Sequence, residues 1–399
     1  MRKIDLNNFK VASSATARDI NRRTILNLVR KHQPISQADL MRLSGFQRST
    51  VSVIAGQLIE TGWLKEGALG QLPRGRPSTF LHLNENRAGI FGIDIRIQKT
   101  RYALANLEGR FLVNESIATP ASPGEFVEQI GGRIRALIKA HPQLSCEGIG
   151  VSLPGRVDLS SKKFVFAPNL HWSAVDLKKL LEQKTGLPVE LENAANACAL
   201  SEYWFGRQIE GIRDLFAITV SEGIGVGMIL NGQLVRGISG LAGEFGHVSL
   251  SEDGPQCACG NTGCWEVFAS NSAAIRYYGE AQSRGNETRK KRKVTFEDIL
   301  QLAEQGDSRA LEALDKMAEY LGRGIAMLIT GLAPEAIVIV GEVTRVWDRV
   351  GPVVNRVVKE RSTTHASARI MTSGLVEQPR LRGIIALVLQ KYFGAPTTA

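Results

Sequence analysis

His247 is followed after nine residues by Cys257-Ala-Cys259-Gly260-Asn261-Thr262-Gly263-Cys264-Trp265-Glu266, so three thiols and one imidazole are drawn into a single loop. A neutral imidazole and three thiolates satisfy Zn²⁺ in a closed tetrahedron, and a site with no open position staples a fold rather than catalyses. His247, Cys257, Cys259 and Cys264 are therefore the expected ligands of a structural zinc ion. Gly260 and Gly263 supply the sharp turns that let Cys259 and Cys264 face one ion. A disulfide is the weaker alternative, because nothing else in the chain points to secretion and a cysteine cluster in a reducing compartment more often holds metal. The other two cysteines, Cys146 and Cys198, lie in apolar surroundings and are expected to be small buried hydrophobes.

Charge divides the chain. Residues 1–85 carry 13 Lys and Arg against 6 Asp and Glu, a net +7 out of the total +10. That excess suits a polyanion such as DNA, although a basic face is also compatible with simple solvation. Periodicity adds the specificity. Ile25, Leu28 and Val29 mark a first helix; Ser36 caps a second that carries Leu40 and Leu43; Gly45 permits the turn; Val51, Ile54, Ala55, Leu58 and Ile59 mark a third. The pattern is a helix-turn-helix. It leaves Gln47, Arg48, Ser49, Thr50 and Ser52 at the start of the third helix, where a recognition helix meets base edges. Trp63-Leu64-Lys65 and Thr79 to Leu83 read as two strands joined by Gly70-Gln-Leu-Pro-Arg74-Gly-Arg76-Pro77, which makes a winged helix. Its Arg74 and Arg76 are placed to enter a narrow A·T-rich minor groove.

Beyond a linker near residues 84–88 the chain alternates apolar strands with helices. Strands are expected at Ile90–Ile95, Tyr102–Leu107 and Gly148–Leu153, and helices at about 125–140 and 174–185. Such alternation is an α/β layer structure. The basic run from Arg289 to Lys293 sits among Gly, Asn and Ser, as a solvated loop does. No apolar run is long enough to cross a membrane, and the first nineteen residues lack the apolar core of a signal peptide, so a cytoplasmic protein is expected.

Gly243-Glu244-Phe245-Gly246-His247, the cysteine loop ending in Glu266, and Glu192-Asn193 together resemble the signature of the ROK family of repressors and sugar kinases, from about residue 88 onward. The resemblance implies a two-lobed actin-like (RNase H-like) fold that binds a hexose, with Asn193, Glu244, His247 and Glu266 on its hydroxyls. It also exposes departures. Kinases of the family carry Asp-x-Gly-Gly-Thr after the first strand; here the stretch is Asp94-Ile95-Arg96-Ile97-Gln98. A second phosphate loop is represented by Ser221-Glu222-Gly223-Ile224-Gly225-Val226-Gly227, with an added carboxylate. A double glycine is replaced by Gly341-Glu342. The motif Glu-Asn-Asp-Ala-Asn supplies the base that deprotonates the sugar; here it is Glu192-Asn193-Ala194-Ala195-Asn196, and Ala194 cannot accept a proton.

The expected organisation is a winged helix-turn-helix over residues 1–85 and a ROK sugar-binding and dimerisation domain over 86–399, with its zinc loop at 247–264. The expected function is a sugar-responsive transcriptional regulator, a repressor without catalytic residues, which binds a DNA operator as a homodimer or higher homo-oligomer and does not insert into membranes. Three alternatives stay open: a sugar kinase with an appended DNA-binding domain, a regulator controlled by a protein partner, and an architectural DNA-binding protein, which the large sugar-binding-like part of the chain disfavours.

Overall fold

A computed structural model describes residues 14–70, 78–158, 163–166, 170, 172, 175–209, 211–284, 294–362, 368–374 and 378–394. Helix α1 (Ser14–His32) buries Ile25, Leu26 and Val29. Leu28, expected on that stripe, is only half-buried, because at 3.6 residues per turn it falls outside the arc set by the other three. A short strand β1 (Ile35–Ser36) leads into α2 (Gln37–Ser44). The Ser36 hydroxyl accepts the Asp39 amide at 3.1 Å, and Gly45, at φ +71°, ends the helix in the left-handed region. Leu40 is fully buried but Leu43 is 47% exposed, contrary to expectation, since the helix stops at Ser44 before another turn covers it.

Helix α3 (Arg48–Glu60) buries Val51, Ile54, Ala55 and Leu58 and leaves Gln47, Arg48, Ser49 and Ser52 exposed, with Thr50 half-buried. Strand β2 (Leu64–Gly70) pairs antiparallel with β3 (Ser78–Leu83), which pairs with β1, giving a three-stranded sheet beside three helices. Arg74, Arg76 and the wing tip lie outside the described residues, as does the basic run 289–293. Residues 84–88 are not an open linker. Glu85–Arg87 is a helical turn tied back by Asn84 Nδ2 to the Gly62 carbonyl (2.8 Å) and Arg87 Nε to the Thr61 carbonyl (3.2 Å).

Strands β4 (Ala88–Asp94), β5 (Lys99–Ala105) and β6 (Phe111–Ala118) form an antiparallel meander, followed by α4 (Pro123–Ala140), β7 (Ser145–Leu153), a hairpin of β8 (Arg156–Asp158) and β9 (Lys163–Phe166), α5 (Leu177–Thr185) and β10 (Val189–Asn193). The five-stranded sheet runs β10-β7-β4-β5-β6. Then come α6 (Ala194–Phe205), β11 (Leu215–Val220), β12 (Ile224–Leu230), β13 (Gln233–Leu234), α7 (Glu266–Ala269), α8 (Asn271–Arg284), α9 (Phe296–Glu304), α10 (Ser308–Leu332), β14 (Ala336–Val340), α11 (Trp347–Arg361), β15 (Arg369–Thr372) and α12 (Pro379–Phe393). Their sheet runs β13-β12-β11-β14-β15. Counted within each sheet, both have the strand order 3-2-1-4-5, the duplicated pattern of the two-lobed actin-like fold. Strands β4, β11 and β14 are buried along their whole length, as largely apolar runs are in a sheet covered on both faces.

The chain divides into two compact units. One comprises residues 1–151, 177–190 and 385–399; the other comprises 152–176 and 191–384. Helix α12 begins in the second and ends in the first. Within the first unit its last residues cover the winged helix. Trp63, 5% exposed, meets the rings of Tyr392 (4.9 Å between centroids) and Phe393 (6.4 Å, edge-on). The Arg22 and Arg87 guanidiniums lie 5.5 and 5.3 Å from the Trp63 ring, and Arg23 and Asn27 of α1 donate to the carbonyls of Gly394 and Phe393 at 2.8 and 2.6 Å.

Candidate functional site

The second unit carries both the cysteine cluster and the residues expected to hold sugar. Glu244–His247 is a single helical turn, entered through Gly243 at φ +94°. A Cβ at Gly243 would lie 2.3 Å from the Val226 carbonyl oxygen, so only glycine lets this turn press onto β12. The cysteine loop closes on itself. The Gly260 amide donates to the Cys257 carbonyl, the Cys257 amide to Asn261, and the Leu250 amide to Gly263. Gly263, at φ +67°, would place a Cβ 1.7 Å from the Ser251 carbonyl oxygen. The loop exits through Trp265, fully buried, whose Nε1 donates to the Tyr320 carbonyl at 2.9 Å and whose ring rests on the bare Cα of Gly324 in α10.

This frame sets the ligand atoms. Cys257 Sγ lies 3.6 Å from His247 Nδ1, and Cys259 Sγ lies 3.7 Å from Cys264 Sγ. A tetrahedron with metal–sulfur bonds of about 2.3 Å and a metal–nitrogen bond of about 2.0 Å has edges of roughly 3.6 Å from N to S and 3.8 Å from S to S. The two separations match. All four ligand atoms lie within 4.8 Å of one another. Burial pushes the Cys257 and Cys264 thiols up, so they take the thiolate form readily only beside a compensating cation. The residues present therefore fit a metal ion. Cys198 is buried and outside this cluster, and the half-buried Cys146 thiol is pushed up by burial and by the neighbouring Glu147 carboxylate.

With Nδ1 turned to the thiols, His247 presents Nε2 toward Glu244, 3.7 Å from its carboxylate. Glu266 has two neighbours: Oε1 lies 3.4 Å from His247 Nδ1 and accepts from the Cys257 thiol at 3.1 Å, while Oε2 accepts the Ile224 amide at 3.4 Å. Three of the four expected sugar residues are thus brought together. The fourth, Asn193, uses its Oδ1 to cap α6 through the Asn196 amide at 2.7 Å. Its neighbour Glu192, for which no role was expected, is 2% exposed. That carboxylate takes the Asn196 side chain at 2.9 Å and the Arg236 guanidinium at 2.8 Å, tying the start of α6 to the segment that leads into Gly243. Its position ahead of a helix cap was legible; its partner Arg236 carries no motif.

The stretches compared with nucleotide loops have structural duties. Gly225 and Gly227 lie in β12, where a Cβ would meet Ala195 Cβ at 3.0 Å and the Ala195 carbonyl oxygen at 2.2 Å, so they let α6 lie close on the strand. Gly341 would place a Cβ 2.0 Å from the Val220 carbonyl oxygen. The Glu342 carboxylate accepts the Asn271 side chain at 2.8 Å, and Arg96 pairs with the buried Asp94 at 2.8 Å.

The profile described as ROK family matches residues 90–391, and that described as winged helix-turn-helix DNA-binding matches residues 18–65. The chain belongs to the ROK family. It is 33% identical over 332 residues to the xylose repressor of Bacillus spizizenii, covering 82% of this chain and 84% of that one. The crystal structure of a ROK family transcriptional regulator, described as a homologue of the Escherichia coli MLC protein, superposes with a TM-score of 0.81 at 25% identity over 95% of this chain and 98% of that one. A ROK glucokinase from Streptomyces griseus, in complex with glucose and AMPPNP, gives 0.66 at 30% identity over 75% and 99%. The kinase likeness spans less of this chain than the regulator likeness does.

Proposed function

We propose that this protein is a sugar-responsive transcriptional repressor that has lost phosphotransfer. The observation that carries the reading is the union, in one chain, of a winged helix with an exposed recognition face and a ROK body with Ala194 where kinases of the family hold their catalytic base. Loss of a positioned base costs about 10²–10⁴ in rate. The carboxylates of Glu222 and Glu342 and the Arg96–Asp94 pair stand against phosphate binding. Asn193, Glu244, His247 and Glu266 are the proposed sugar partners. Gln47, Arg48, Ser49, Thr50, Ser52, Arg74 and Arg76 are the proposed DNA contacts. The likeness to a xylose repressor makes a pentose or hexose the effector class.

Zn²⁺ held by His247, Cys257, Cys259 and Cys264 would fix the imidazole through Nδ1 and leave Nε2 to a sugar hydroxyl. The boundary between DNA-binding and ROK domains is placed near residue 85. A homodimer would set two winged helices on a pseudo-palindromic operator. Sugar acts by binding one of two DNA-affinity states more tightly than the other. Among the described residues no helix is long and apolar enough to cross a membrane, in keeping with a protein that works on DNA in the cytoplasm.

The test is binding of a selected duplex by the full-length protein, titrated with a panel of pentoses, hexoses, amino sugars and their phosphates, beside a coupled assay for ADP. The expected result is a sugar-dependent change in duplex affinity without turnover, and Glu244→Ala should abolish the sugar effect while sparing sugar-free binding. Hexose-dependent ADP production by the unmodified chain overturns the repressor-only reading and favours a kinase with a DNA-binding domain. A duplex affinity that no sugar moves favours control by a protein partner.

A further inference from the structure

On α3 the buried residues Val51, Ile54, Ala55 and Leu58 define one side of the helix. On the opposite side, at spacings of three and four residues, lie Ser49, Ser52, Val53 and Gly56, all exposed. Two of these are anomalous for a solvated helix face. Val53 is a β-branched apolar side chain left 59% exposed, on a face it shares with Ser49, Ser52 and Gly56. Gly56 sits in the interior of a regular helix, where glycine is unfavourable relative to alanine. Its backbone does not require glycine, and a Cβ built there meets nothing within 4 Å. This contrasts with Gly45, whose left-handed backbone ends α2. The fold of the isolated chain explains neither residue.

A partner that touches this face explains both, and the net positive charge of residues 1–85, together with the winged helix-turn-helix match over residues 18–65, makes that partner duplex DNA. We infer that Val53 reads a thymine 5-methyl group in the major groove and that Gly56 is where the α3 backbone comes closest to the groove. The inference rests on the DNA-binding reading above and deepens it to one base-discriminating contact. The chemistry is specific: the thymine methyl is the one apolar feature among the base edges of the major groove, and an apolar side chain is its natural complement. Arg48 and Ser49, one turn earlier, are left for hydrogen-bonding edges and phosphates.

The methyl group can be deleted from the DNA without altering any hydrogen bond, by replacing thymine with deoxyuridine. A duplex is first recovered from a randomised library with the full-length wild-type protein, and each of its thymines is then replaced in turn. At one position in each half-site, deoxyuridine should weaken wild-type binding about four-fold, the worth of one buried methyl. Val53→Ala should bind the thymine and deoxyuridine duplexes equally at that position and still discriminate at all others. Gly56→Ala should raise the denaturation midpoint, because alanine favours the helix, and yet weaken duplex binding by about an order of magnitude, as overfilling a close contact does. If a duplex is recovered and no thymine methyl couples to Val53, the inference fails and the DNA-binding reading stands. If Gly56→Ala binds as tightly as wild type, the close-approach assignment fails. If no duplex is recovered, the DNA-binding reading fails, and this inference with it.

Discussion

Removing one thiol from the His247 cluster tests whether the loop is held by metal or by its own backbone. Cys264 is fully buried, and its Sγ already stands 3.7 Å from Cys259 Sγ. With no pair of ligand atoms more than 4.8 Å apart, the widest edge closes by at most about 1 Å on binding an ion, so the native state is close to the bound geometry and the unfolded chain is not. A ligand that binds only the native state, present at a thousand times its dissociation constant, adds about 4 kcal/mol. For a unit of 150–250 residues that corresponds to roughly 8–16 °C in the thermal midpoint, at about 2–4 °C per kcal/mol. Cys264→Ser offers a neutral hydroxyl in place of a thiolate, and should lower bound zinc from about one per chain toward zero together with that midpoint. Cys146→Ser, outside the cluster, should change neither. Elemental analysis and calorimetry, before and after treatment with a chelator and again after zinc is restored, give the answer. A midpoint indifferent to both chelator and added zinc, or a Cys264→Ser protein with wild-type zinc content, refutes the reasoning.

Trp63→Ala should destabilise the first unit by about 3–5 kcal/mol, since it removes a buried ring contacted by two aromatic rings and two guanidiniums; urea denaturation followed beside duplex binding checks it, and a loss below about 1 kcal/mol would contradict the packing described. Burial pushes the Glu202 carboxyl above the ordinary glutamate value of about 4.3. The folded state then holds the proton more tightly than the unfolded one, so this group's contribution declines as pH rises from the unfolded value through the raised folded one. Glu202→Gln keeps an acceptor for the Ser373 hydroxyl and should therefore be more stable than wild type above that window and equal to it below; urea midpoints across the acid to neutral range that differ by a constant amount would sink the idea. Gly263→Ala should perturb the cysteine loop as strongly as losing a thiol does, because its Cβ would overlap the Ser251 carbonyl; retained zinc with an unchanged midpoint would count against that close approach.

Local chemistry was legible in the sequence where one residue fixes one geometry. The Ser36 cap, the left-handed Gly45, four of the five expected core positions of α3 (Ile59 is only half-buried) and the joining of three cysteines to His247 follow from residue type and spacing alone. Periodicity failed at the margins: Leu28 is apolar but lies at the edge of its stripe, and Leu43 is apolar yet uncovered, because whether an apolar residue is buried depends on where its helix ends and what lies opposite. The glycines of Ser221–Gly227 were open to a phosphate-loop comparison because a sequence does not tell a glycine that admits a ligand from one that admits a neighbouring helix. The Arg236 partner of Glu192 was invisible for a related reason, since forty-four residues separate the two and Arg236 belongs to no spaced motif.

The aromatic cover over Trp63 also has a meaning in time. Tyr392 and Phe393 follow Trp63 by some three hundred and thirty residues, so at about 5–20 residues per second a ribosome exposes the winged helix for roughly a quarter of a minute to a minute before the cover arrives. Through that interval, and permanently in any chain cut short upstream of Tyr392, Arg23 and Asn27 of α1 lack the carbonyls to which they donate and the Trp63 ring lacks its aromatic cover. The finished DNA-binding unit is thus a product of complete synthesis, and a prematurely terminated chain that keeps the recognition helix lacks the support that holds it in place.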